Sequence, residues 1–368
     1  LPARAADWSG VINSREVAEK NARLAGDWSV YARAAAAWFL FHGRMSRGYS
    51  MAVSGDIPVD GGLSSSSALV VAFSEAFCVF ERRTVERALF AEECGRAEWY
   101  VGTRGGFGDH AGIIFGKQGH VSRIGFFPLS CRDWFPSPAG YDIFICHSGT
   151  AAKKTAGARD VFNHRVACYE IGEEMLRNRL GRLEHLRDLV YDGTRTQEEV
   201  ACLVAGLPVE VDRGDVRTIM PADRAERLLA SHSEATGPYP VRAVTLFGVA
   251  ECQRSLLAGT LLSRRAWEEF GRLMTVSHDG DRVSRWVNGS LQAYAPDFGD
   301  AAFEQLMGRL RAGGNLAQEP GGYRCSTERI DRLVDVALSV EGVIGAQICG
   351  AGLGGSVMVL CRQGAEEH

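Results

Sequence analysis

The sequence predicts a chain of mixed helix and strand: a first part in which short strands are set among buried helices, then a mostly helical second part that closes on strand, glycine loop and strand. Three observations carry this. The 368 residues are 46% hydrophobic and 23% charged, enough apolar content for one large or two ordinary packed domains. Two segments, GYSMAVSGDIP at 48–58 and GYDIFICHSG at 140–149, have strand character. From Ala158 onward the apolar residues recur at helical spacing for most of the chain.

Taken in order, the alanine-rich run SVYARAAAAWFLFHG at 29–43 reads as a buried helix ended by its glycine. GYSMAVSGDIP reads as a short strand running into a loop. A second helix starts in the serine run and continues through ALVVAFSEAFCVF, which is apolar on every side and so belongs in the interior. A third, from Thr84 to Tyr100, leads into the glycine cluster GTRGGFGDHAGIIFG, and GYDIFICHSG follows as a buried strand. The first domain is drawn as 1–157 and the second as 158–368. Amphipathic stretches at 158–180, 222–232, 244–260 and 266–278 are interrupted by the loops TGPYP (236–240) and GGNLAQEPGG (313–322). The end reads helix (Ser326 to Val340), strand (VIGAQIC), glycine loop (GAGLGG) and strand (SVMVLC).

Charge and cysteine usage narrow the partners. With 41 Lys+Arg against 45 Asp+Glu the formal charge is -4, which gives no field to draw the chain to nucleic acid or an acidic membrane. A small-molecule partner fits better, and a monomer or homodimer is expected. Ten cysteines stand singly with no CxxC pair, which reads as reduced, mostly buried thiols in a reducing cytoplasm. No run of about 18 apolar residues appears. The opening LPARAADWSG has no signal-peptide pattern and no methionine, so it is not read as the natural start.

The chemistry concentrates in IPVDGGLSSSSAL at 57–69, where two glycines and four hydroxyls stand directly before a buried helix. Gly61 and Gly62 let the backbone turn tightly, and the helix start offers unpaired N–H groups to an anion, which makes a phosphate cradle. The same residues could form an ordinary serine N-cap after a glycine turn; the fixed order of Pro, Gly-Gly-Leu, serine run and Ala favours the cradle. It is not a Walker A loop, since no Gly-Lys-Ser/Thr follows.

This segment resembles the second motif of the GHMP kinases, Pro-x-x-x-Gly-Leu-(Gly/Ser)-Ser-Ser-Ala, in its galactokinase and arabinokinase branch. The resemblance implies that Gly61, Gly62, Leu63, Ser64, Ser65, Ser66 and Ser67 wrap the phosphates of ATP and that Ser65 or Ser66 assists Mg²⁺. AEWYVGTRGGFGDHAG at 97–112 is similar to the galactokinase segment with a glutamate and, later, an aspartate in Gly-x-x-Asp-Gln. That match implies Glu98 as the metal carboxylate and Asp109 as the catalytic base, with Gly106 and His110 at the sugar. A sugar hydroxyl is a poor nucleophile, and a carboxylate within hydrogen-bond reach can take its proton while Mg²⁺ and N–H groups stabilise charge on the transferred group. His110 stands where the family has glutamine, and the Glu98–Asp109 spacing is one residue shorter. GAQICGAGLGGSVMVLC at 345–361 resembles the third motif, which puts Gly352 and Gly354 at the nucleotide and Gly350 and Ala351 at the substrate.

Two further stretches resemble the branch. HSGTAAKKTAGARDVFNHRVACYE (147–170) is similar to the segment lining the sugar pocket, with Phe162 and Arg165 as substrate contacts and Lys153, Lys154 and Arg159 as possible holders of charge. WEEFGRLMTVSHDGDRV (267–283) is similar to the helix that carries a Ser-His pair. No counterpart of the first galactokinase motif stands before Trp28, so the resemblance covers about residues 28–362. It implies the two-domain α+β GHMP kinase fold with its active site in the interdomain cleft. The implied activity is ATP-dependent phosphorylation of a small sugar at its anomeric hydroxyl. A pentose, fucose or a seven- or eight-carbon sugar (phosphate) remains an alternative acceptor, as does a silent binding protein of the same fold.

Overall fold

The computed structural model describes residues 5–24, 26–59, 61–150 and 156–365, so Lys153 and Lys154 lie outside the described residues. The chain divides into two compact units, Leu1–Ser137 and Pro138–His368. The division falls ahead of strand 141–147, which the sequence grouped with the first domain, because that strand hydrogen-bonds to the last strand of the chain.

The first unit contains α1 (Trp8–Ile12), α2 (Arg15–Arg23), α3 (Ser29–Phe41), α4 (Ser65–Phe80), α5 (Arg87–Glu98), a 3-10 turn (Trp99–Val101), α6 (Gly108–Phe115) and the hairpin β1 (His120–Gly125) and β2 (Ser130–Pro136). Its core takes buried residues from α1 to α6, most of them on α3, α4 and α5. Ala34 and Ala35 are fully buried on α3, and Phe39 meets Phe77 of α4 with ring centroids 5.4 Å apart. Small residues on one helix admit aromatics from the next, as ridges enter grooves. The helix expected over 84–100 begins at Arg87, where Glu86 caps it by accepting from the N–H groups of Ala88 and Leu89.

One expectation fails here. Residues 48–58 form no strand: 52–59 are exposed and irregular, and among the described residues no strand pairs with them. Alternating apolar residues specify a face, but a strand also needs a hydrogen-bonded neighbour.

The second unit runs β3 (Tyr141–His147), α7 (Ala156–Leu180), α8 (Asp188–Tyr191), α9 (Gln197–Ala205), α10 (Val216–Ile219), α11 (Ala222–Leu229), α12 (Val241–Ser263), α13 (Trp267–Asp281), β4 (Ser284–Val287), β5 (Ser290–Ala293), α14 (Asp300–Arg311), α15 (Glu328–Ser339), β6 (Val343–Ile348) and β7 (Ser356–Arg362). Ile171, Leu189, Val204, Val244 and Leu306 belong to one core between α7, α8, α9, α12 and α14. Strands β3, β7 and β6 form an antiparallel sheet in that order, and α15 covers it through Ile330 and Val334 against Ala346, Val357 and Val359. β3 is an edge strand whose Ile143, Phe144 and Ile145 are exposed, so its apolar run is not the buried strand the sequence suggested. Helix α13 crosses β6 at two glycines: a β-carbon at Gly345 would stand 2.0 Å from the Gly271 carbonyl oxygen. That close crossing holds the strand feeding the terminal glycine loop.

Among the described residues no helix is long and apolar enough to cross a membrane. All ten cysteines are free, and burial pushes Cys94, Cys168 and Cys252 up to about 12.

Candidate active site

The first unit gathers the serine run, Glu98 and Asp109 around the starts of two helices. Gly62 turns with φ of 72°, and Ser64, the N-cap of α4, stands in the left-handed region with φ of 58°. In that conformation its hydroxyl makes no capping bond, unlike Ser14, Thr196 and Thr327, whose side chains accept from their helices' first turns. The ordinary serine N-cap is thus not what the sequence builds here. The first-turn N–H groups of α4, which carry the positive end of its dipole, are left without a side-chain cap.

Ser65 and Ser66 are half-buried in that first turn, whereas Ser67 turns inward. Its hydroxyl donates to Glu98 Oε2 at 2.8 Å. Glu98 ends α5 and is only 7% exposed, and His110 Nε2 lies 2.9 Å from the same oxygen. The neighbour of His110, Asp109, sits exposed in the first turn of α6, with Gly106 exposed just before that helix. The three-element knot of Ser67, Glu98 and His110 therefore ties the serine-run helix to the helix that presents Asp109. The expectation that His110 meets the sugar does not agree with its place: the residue is 3% exposed and turned toward Glu98.

Oxygen donors on Glu98 and the serines suit a hard cation such as Mg²⁺. Among the described residues no group of three or more His, Cys, Asp or Glu could cage a metal by itself. A cation here would complete its shell from phosphates and water, the usual habit of Mg²⁺ in phosphoryl transfer.

The second unit presents the glycine loop 350–355 between β6 and β7. Gly350 and Ala351 form its exposed tip, while Gly354 is buried at its return. Gly352 has φ of 78°, and a β-carbon there would stand 2.1 Å from the Cys325 carbonyl oxygen. The same carbonyl accepts from the Leu353 N–H at 2.7 Å. Cys325 is held in turn by Asp281, whose Oδ1 accepts its N–H at 3.3 Å, and the Asp281 carbonyl accepts from Ser326 at 2.9 Å. Burial pushes the Asp281 carboxyl up to about 7, with Glu251 and Asp331 adding to the effect and the Cys325 N–H opposing it. Neither Asp281 nor Cys325 stood out in the sequence, since nothing local signals a contact across 44 positions.

On α7, Phe162 and Arg165 are half-buried and Arg159 is exposed. Arg165 Nη1 lies 2.9 Å from His164 Nδ1. The His278 of the Ser-His pair is fully buried against Asp331 at 3.2 Å, a joint between α13 and α15.

The chain is similar to known proteins along most of its length. The family model described as GHMP kinases N terminal domain matches residues 30–117, and that described as GHMP kinases C terminal matches 298–368. A galactokinase from Chloroflexus aurantiacus is 26% identical over 336 residues, covering 90% of this chain and 66% of that protein. A galactokinase from Thermotoga maritima is 24% identical over 355 residues, covering 96% of this chain and 77% of its own. The chain thus spans about two thirds (66%) of the length of its Chloroflexus relative. In fold, the crystal structure of Lactococcus lactis galactokinase complexed with galactose matches with a TM-score of 0.61 at 19% identity, over 92% of this chain and 68% of that one.

Proposed function

Because the chain belongs to the GHMP kinases, we infer that it transfers the γ-phosphoryl group of MgATP to the anomeric hydroxyl of a small sugar of the galactose type. One observation carries the reading: a helix start with no side-chain cap is tied through Ser67 to the buried carboxylate of Glu98, next to the helix turn that presents Asp109.

Each residue then has a task. Gly61, Gly62, Leu63 and Ser64 bring the chain into the first turn of α4, where the N–H groups of Ser65, Ser66 and Ser67 receive phosphate oxygens. Gly352 and Gly354 give the second loop a backbone that can approach the nucleotide closely, with Gly350 and Ala351 toward the sugar. Asp109 takes the proton of the attacking hydroxyl, and Gly106 beside it lets the sugar come near the backbone. Glu98 with Ser65 or Ser66 would hold Mg²⁺, which, when bound, offsets the charge of the transferring phosphates. Phe162 and Arg165 shape the sugar side. The transfer is direct and in line, with no covalent intermediate on the protein.

Phosphorus NMR of the protein with MgATP and a panel of galactose, arabinose, fucose and longer sugars tests this. A new phosphate signal coupled to an anomeric proton is expected. Nucleotide binding without product from any sugar would replace the kinase by a binding protein of the same fold.

A further inference from the structure

The contacts of Glu98 give His110 a task other than touching substrate. A buried carboxylate costs several kcal/mol unless its oxygens find partners. Glu98 Oε2 receives the Ser67 hydroxyl at 2.8 Å and has His110 Nε2 on it at 2.9 Å. Both partners are themselves sealed, Ser67 at 2% and His110 at 3% exposure. They come from the first turns of two different helices, α4 and α6, so the carboxylate of α5 is clamped between the phosphate-facing helix and the helix of Asp109. The His110 contact is short without the alignment of a full hydrogen bond. A ring so placed fills the space beside the carboxylate with a nitrogen against Oε2, and it limits how the carboxylate can rotate.

We propose that His110 is a positioning residue: it clamps Glu98 against Ser67, and so fixes both the carboxylate offered to a divalent cation and the turn that presents Asp109. The proposal rests on the reading of Glu98 as a metal ligand. Groups that orient a metal ligand without touching the metal commonly set its affinity. Histidine is suited to the task here because its rigid ring spans from α6 to the end of α5 with fewer rotors than glutamine, the residue that this position resembles in the family.

The test is Mn²⁺ binding to the purified protein with ADP present, read from the electron paramagnetic resonance signal of free Mn²⁺, beside the melting temperature. His110→Ala should weaken Mn²⁺ binding about 10-fold or more, the usual scale for such outer partners. His110→Gln, able to reach the same oxygen, should recover most of it. If alanine prevents folding, His110→Asn, too short to reach Glu98, takes its place. A melting temperature that falls while Mn²⁺ binding by the folded protein stays at the parent value would make His110 a packing residue only and overturn the proposal, as would a glutamine variant no better than alanine. Glu98→Gln separates the two levels: Mn²⁺ binding unchanged in that variant would remove Glu98 from the metal site and take the proposal with it.

Discussion

At the scale of the residue, the proposed function gives the exposed Asp109 and the buried Glu98 separate tasks. An exposed carboxylate at a helix start meets an incoming hydroxyl, and a sealed one keeps a fixed orientation. Asp109→Asn should therefore leave nucleotide binding nearly intact and lower turnover by about 100-fold or more, the scale of a general base. Retained turnover in a steady-state assay would remove Asp109 from the mechanism. Ser67→Ala should act differently, since its hydroxyl is spent on Glu98. It leaves a buried carboxylate oxygen short of a donor, at a cost of about 1–3 kcal/mol in a denaturant melt. Of these residues the sequence marked Glu98, Asp109 and the serines as candidates through the motifs that resemble the GHMP kinases. It did not reveal that Ser67 faces inward, because helical phase within a run of four serines is set by what the helix packs against.

At the scale of the element, the glycine loop depends on a support that comes from elsewhere in the chain. The Cys325 carbonyl occupies the space beside Gly352, so the loop's shape requires that no β-carbon stand there. Gly352→Ala meets both that overlap and a left-handed φ, for which the conformation alone costs about 1–2 kcal/mol. The expected result is a displaced loop and weakened nucleotide binding by calorimetry, with the melting temperature little changed. The strand–loop–strand pattern of this element was plain in the sequence, as were α3, α4 and α15. The β4–β5 hairpin was missed although Asn288-Gly289 is a strong two-residue turn signal. The strand expected at 48–58 shows the opposite case, a correct pattern without the neighbour that would make it a strand.

At the scale of the whole molecule, three buried groups shape stability against pH. Burial holds His164 and His232 down at about 4, from 6.5. Between those values the unfolded chain binds more protons than the native one, so stability rises with pH across the window from about 4 to 6.5. Asp281 works the other way: the native state keeps its proton up to about 7 while the unfolded state loses it near 3.8, so its contribution falls as pH rises through that range. Two protons against one leave a net rise on the acid side, on the order of 1.4 kcal/mol per pH unit. Asp281→Asn should steepen that rise and raise the melting temperature at pH above about 7, with little change near pH 4. A shift of equal size at every pH would mean the substitution acts by packing alone. Composition and periodicity determined by themselves the mixture of helix and strand and the helices that form the core, and the ordered motifs carried the family resemblance with the α+β class it implies, since these follow from local spacing and chemistry. Which serine turns inward, that Glu98 and His110 meet, and what props the glycine loop were decided only by tertiary structure. Each is a contact between segments far apart in the chain, and nothing local to either segment encodes the partner.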